Sequence, residues 1–252
     1  MRRGPKLKLA GAGTAIGTFA VITALAPSES GLTADLTTRD WLAHAGPSWL
    51  ATAARTATYV GQGGPLTLAT LALAAFLTWR RKTCKPAILF LATFILVMVV
   101  VGLPKVYFRR GAPADPETDA VRFFSKSFCG GPECQSYPSG HAANAVAWYG
   151  LAMLLLASAV TLAARWLIQG AAATVTAVAT ILSGYHWLTD TVAGLALGVA
   201  IYLVLSVVNG ADPRYVTWLD ERLVRVLTRG GRQRGDPPEG AGRPMPVRAE
   251  AA

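Results

Sequence analysis

Three short segments carry side chains that could act together on a phosphate. Tyr137-Pro138-Ser139-Gly140-His141 closes a polar stretch and opens an apolar run at Ala142. Pro, Ser and Gly start helices and do not continue them. Ser139 is placed to cap such a helix and leave its first backbone N–H groups for an anion. His141 then stands in the first turn. The second segment holds His186 and Asp190, four residues apart. In a helix or tight turn the carboxylate can reach the imidazole, fix its tautomer and leave the other nitrogen to attack. The same spacing also arises when an Asp caps a helix and a His sits among headgroups. The third segment holds Lys105, Arg109 and Arg110, fixed charges and bidentate donors that suit a phosphoryl group. They suit snorkelling to lipid headgroups equally well.

The elements that position these residues are apolar. Of the 252 residues, 52% are hydrophobic and 15% charged, with a mean hydropathy of +0.38. Soluble domains carry about 25% charged residues. Apolar runs at 9–26, 63–79, 86–104, 142–160, 167–185 and 191–208 have the length of a bilayer span. They predict an all-α polytopic membrane protein, six transmembrane helices in a bundle with short interfacial helices. Residues 1–209 make the membrane domain. Residues 210–252 read as a cytoplasmic amphipathic helix and a disordered basic tail. The run at 9–26 has a second reading, a signal peptide cleaved after Ala24-Leu25-Ala26. Residues 27–62, with Asp35, Arg39 and His44, predict interfacial helices anchored by Trp41 and Trp49. Gly194 and Gly198 have the spacing for close helix packing.

The formal charge of +10 reads as a topology signal and as attraction to anionic headgroups, not as nucleic-acid binding. The basic N-terminus, residues 80–85, Arg165 and the tail all fall on the cytoplasmic side of a six-span count. The three reactive segments then share the outer face. Lys105, Arg109 and Arg110 run against that charge bias, which a local job would explain. Cys129 and Cys134, around Gly130-Gly131-Pro132-Glu133, predict an outer-loop disulfide, with two free thiols as the other reading. Cys84 is a cytoplasmic thiol.

Taken together, K-x4-R-x2-P at Lys105, Arg110 and Pro113, then Pro-Ser-Gly-His, then His-x3-Asp, resemble the type 2 phosphatidic acid phosphatase superfamily. The resemblance covers roughly residues 100–200, including His186-Trp-Leu-Thr-Asp190-Thr-Val-Ala-Gly-Leu-Ala-Leu-Gly. It implies a metal-independent phosphatase without a cofactor, acting on a lipid phosphate at the outer face of a bacterial plasma membrane. His186 would be the nucleophile, Asp190 its orienting carboxylate and His141 the acid, a distinction the residues alone leave open. Lys105, Arg110, Arg109, Ser139 and Gly140 would bind the phosphoryl oxygens. The implied substrates are polyprenyl diphosphates and the phosphatidic acid or phosphatidylglycerol phosphate class. Other expectations on the same scaffold are a non-catalytic lipid-phosphate binder or transporter, and a phosphotransferase with a non-water acceptor. Two family arginines are replaced, by Ala112 and Thr180, and Arg110 is expected to compensate.

Overall fold

The computed structural model describes residues 3–44, 47–115, 117–125, 135–210, 217, 220 and 221. The described residues are helical, without strands: α1 (Arg3–Leu25), α2 (Glu29–His44), α3 (Ser48–Ala57), α4 (Gly63–Arg81), α5 (Lys85–Leu96), α6 (Leu103–Phe108), α7 (Gly140–Leu155), α8 (Leu162–Leu182) and α9 (Leu188–Gly210). The expected disulfide at Cys129 and Cys134 lies outside the described residues, as does nearly all of the expected amphipathic helix and tail.

Five stretches are long and apolar enough to cross a membrane: Gly4–Leu25, Trp49–Arg81, Lys85–Phe108, Leu162–Leu182 and Leu188–Gly210. Their outer faces expose Leu68, Leu91, Met98, Leu167 and Val178, a surface that lipid can cover and water cannot favour. The protein is an integral membrane protein. The expected fourth span is α7, which differs from the others. It has 16 residues, about 24 Å of helix, and lies inside the bundle against α4, α8 and α9. Trp148 and Leu151 on α7 pack with Ala74, Leu77 and Leu89 of α4 and α5.

Two spans are longer than the sequence predicted. Residues 48–81 run as α3, a 3-10 turn at Thr58–Gly61, and α4. The third apolar run continues past Pro104 to Phe108 through a wide π-type turn at Val97–Gly102. Proline lacks the N–H for a regular helical bond and its ring crowds the preceding turn. A wide turn just before it is one way a helix absorbs that defect.

Small residues let α9 approach α7. A Cβ on Gly194 would lie 2.3 Å from the Ser139 carbonyl oxygen, and one on Gly198 2.8 Å from that of Ala143. Both neighbours are backbone and cannot yield. Gly194→Ala is therefore expected to push the two helices apart at about 1–3 kcal/mol. A lowered unfolding temperature in detergent would show it; an unchanged one would mean that the helices re-pack freely.

The long-range bonds sort the helix ends. Lys8 Nζ donates to the Ser206 carbonyl at 3.3 Å, Arg81 to that of Leu155 at 3.1 Å and Lys85 to that of Asn209 at 2.6 Å. The basic ends of the first, second and third runs thus share one end of the bundle with the C-terminal ends of α7 and α9. The three reactive segments meet at the other.

Candidate active site

The Pro-Ser-Gly-His segment begins α7 as its composition predicts. Ser139 is extended, its Oγ accepts from Ala142 N at 3.3 Å, and it caps the helix. Its own N–H donates to the Asp190 carbonyl at 2.9 Å, tying the start of α7 to the start of α9. Its hydroxyl is buried. The Tyr137–Pro138 peptide is cis. Lys105, on α6, reaches over this corner. A Cβ on Gly140 would meet Lys105 Cε at 3.1 Å, and Lys105 Nζ donates to the Gln135 carbonyl. From the other side the 3-10 turn presses in: a Cβ on Gly61 would lie 2.7 Å from the His141 carbonyl oxygen.

His141 and His186 face each other, with His141 Nδ1 3.4 Å from His186 Nε2. His186 is 6% exposed and sits in the turn between α8 and α9. Gly184, at φ +72°, makes the reversal before it, a conformation that strains any residue with a Cβ. The other ring nitrogen of His186 points towards Asp190. The direct separation, Nδ1 to Oδ2, is 3.7 Å, too long for a hydrogen bond. Ser136 bridges it. Its hydroxyl donates to Asp190 Oδ2 at 2.5 Å and stands 3.3 Å from His186 Nδ1. A hydroxyl has one proton to give, so with that proton on the carboxylate it can only accept from Nδ1–H. This leaves Nε2 of His186 with its lone pair towards His141. Asp190 also accepts from Trp187 N at 3.0 Å.

Arg110, expected at the phosphoryl group, is engaged elsewhere. Arg110 is fully buried between two carboxylates. It donates to Asp190 Oδ1 at 2.5 Å, Asp35 Oδ2 at 2.6 Å, Thr189 Oγ1 at 2.8 Å and the Val121 carbonyl at 2.8 Å. A guanidinium out of water must be paired, and these acceptors use four of its five N–H groups. Asp35 is equally enclosed and accepts from Thr189 N at 2.9 Å and Thr189 Oγ1 at 2.7 Å. Burial pushes its carboxyl pKa up, against the pull of Arg110 and Thr189. Asp35 and Ser136 were not singled out from the sequence. The burial pattern of α2, with Gly31 and Asp35 buried and Thr38 and Leu42 half-buried, puts Asp35 at the centre of its inner face.

Arg109 lies 5.9 Å over the Phe124 ring, and among the described residues no contact brings it to His186. Ala112 and Thr180 offer no cation. Thr180 is buried, with Oγ1 bonded to the Thr176 carbonyl at 2.9 Å. A cavity of about 270 Å³ instead reaches His186 past Arg39, from α2, and Arg55, from α3.

A bundle of apolar helices that buries a carboxylate-linked histidine against a second histidine defines a polytopic membrane protein with a paired-histidine site. The PAP2 superfamily model matches residues 86–213, just over half of the chain, and the chain belongs to that superfamily. The fold agrees with a crystal structure described as the first transmembrane PAP2 type phosphatidylglycerolphosphate phosphatase from Bacillus subtilis. The TM-score is 0.67 at 19% identity, over 81% of this chain and 98% of that one. No curated protein matches the sequence.

Proposed function

We propose that the protein is a lipid-phosphate phosphatase that works through a phosphohistidine. The observation that carries this reading is the bare Nε2 of His186, held by Ser136 and Asp190 and facing His141. Nε2 attacks phosphorus and forms the N–P bond as the P–O bond to the lipid breaks. His141 enters as the imidazolium, gives its Nδ1 proton to the leaving oxygen and so becomes neutral, then takes one proton from the water that cleaves N–P and frees phosphate. Lys105, Ser139 and the Gly140 N–H bind the phosphoryl oxygens. Arg110 holds Asp190 and does not touch substrate. A phosphoryl group between the two rings needs roughly two hydrogen-bond lengths, about 5.5 Å, so substrate turns the His141 ring aside. The basic residues at the other end of the bundle support a site on the outer face. The lipid tail would stay among the helices.

Purified protein should release phosphate from polyprenyl diphosphate, phosphatidic acid or phosphatidylglycerol phosphate in the presence of EDTA. Release no greater than that of the His186→Ala variant across this panel would sink the reading.

The pH profile is a second check. Burial, with Lys105 adding to it, lowers the His186 pKa below its ordinary 6.5, while the nearby Asp190 carboxylate pulls the other way. The attacking imidazole must be neutral, so on the acid side activity falls as pH drops through the lowered value. The acid limb of kcat/KM is expected below pH 6.5. A limb well above it would mean that another group controls the rate.

A further inference from the structure

Beside His186 lies a cavity of about 270 Å³, walled by α2, α3 and the segments 113–114 and 181–188. Neither Lys105, Ser139 nor His141 lines it. It is a compartment adjoining the phosphoryl site and distinct from it. Its charged lining is Arg39, Arg55 and Asp35. Asp35 is consumed: its side chain is 0% exposed and paired with Arg110. The two arginines are different. Arg39 lies over Trp187, 5.8 Å from the ring centroid, which directs it along the cavity wall. It bonds Asp40 through Nε at 2.9 Å and one terminal nitrogen at 2.8 Å, both partners being exposed. Among the described residues nothing engages its other terminal nitrogen. Arg55 is exposed, and among the described residues it has no ion-pair partner. Thr38 and Ser183 add hydroxyls to the same wall. Two guanidinium groups with donors to spare, facing a space that opens onto a nucleophile, form a receptor for an oxyanion.

We propose that this cavity is a second phosphate subsite, and that the substrate is a lipid carrying two phosphate groups. One group, a terminal phosphomonoester or the outer phosphate of a diphosphate, is presented to His186. The other, a phosphodiester or the inner phosphate, is held by Arg39 and Arg55. This rests on the phosphatase reading, with which it shares His186, and it narrows the substrate class. The same chemistry would also hold free phosphate after hydrolysis, so the test separates the two sources.

The variant is Arg39→Gln/Arg55→Gln, which replaces two solvent-reaching side chains. Arg80→Gln, at the opposite end of the bundle, is the charge control. KM is measured on phosphatidic acid and on phosphatidylglycerol phosphate and a polyprenyl diphosphate, with the inhibition constant of inorganic phosphate. The KM of the two-phosphate lipids is expected to rise about tenfold more than that of phosphatidic acid. Arg80→Gln should not move that ratio. A rise in the phosphate inhibition constant without a change in the ratio would assign the subsite to released phosphate and overturn the substrate claim. Equal rises on all lipids would overturn it too, because the arginines would then serve access alone. Titration calorimetry of inorganic pyrophosphate into wild type and variant needs no turnover. Binding lost in the variant supports the subsite even if no lipid is hydrolysed; equal binding overturns it even if hydrolysis is robust.

Discussion

His186→Ala is expected to lower phosphate release from a lipid phosphate by about 10³-fold or more. The magnitude follows from the arrangement around the ring. Ser136 and Asp190 bias the tautomer, and Nε2 faces His141. Without the imidazole no covalent intermediate forms, and no other nucleophile stands in its place among the described residues. Loss of the acid in His141→Ala is expected to cost about 10²–10⁴-fold. The measurement that discriminates is a quench of radiolabelled substrate during turnover. Wild type should carry phosphate on protein that acid releases and base does not, as an N–P bond requires. His186→Ala should carry none. Labelled protein in the alanine variant would show that the nucleophile is elsewhere.

The second large effect is expected far from the matched family region. Asp35→Ala leaves Arg110 with a single carboxylate and strands the Thr189 N–H in a buried site. Removing one partner of a buried ion pair costs about 3–5 kcal/mol. Arg110 would then turn more fully to Asp190 and pull it from Ser136. Asp35→Asn is the informative companion. Its amide oxygen can still accept from Thr189, so the fold should survive, while the charge that holds Arg110 is gone. We expect kcat to fall about tenfold or more with KM nearly held, since a positioning residue acts on the reacting group and not on lipid binding. Full activity in Asp35→Ala would make the network ornamental. A raised KM with kcat intact in Asp35→Asn would place Asp35 in substrate binding instead.

The motifs were legible because each is local. Ser139 caps the helix that starts at the next residue, and His186 and Asp190 occupy one turn. Loop charge was legible too, since the sorting of Lys8, Arg81 and Lys85 to one end depends only on how many spans separate them. What failed was pairing across the chain. Asp35 and Arg110 are 75 residues apart, and nothing in either neighbourhood names the other. Arg110 sits in a segment that reads as phosphate-binding, but a cation is defined by its acceptor, and packing chose Asp190 and Asp35. Ser136 was overlooked because a hydroxyl signals a relay only once its two partners are known. The length of α7 misled for a related reason. Buried among other helices, it does not need the full length that lipid contact would demand.

The press of Gly61 on the His141 carbonyl limits how the site can move. Gly194 bears on Ser139, and the Ser139 N–H is tied to Asp190, so the first turn of α7 is clamped from two sides. In the proposed reaction the two histidines must nevertheless part to admit a phosphoryl group. With the backbone held, that parting is a rotation of the His141 side chain. Such rotations occur on the order of nanoseconds in exposed positions, against microseconds to milliseconds for helix shifts. On the proposed mechanism, gating by a single rotamer would let the scaffold stay rigid through the cycle and leave lipid arrival and departure, not helix motion, to set the pace.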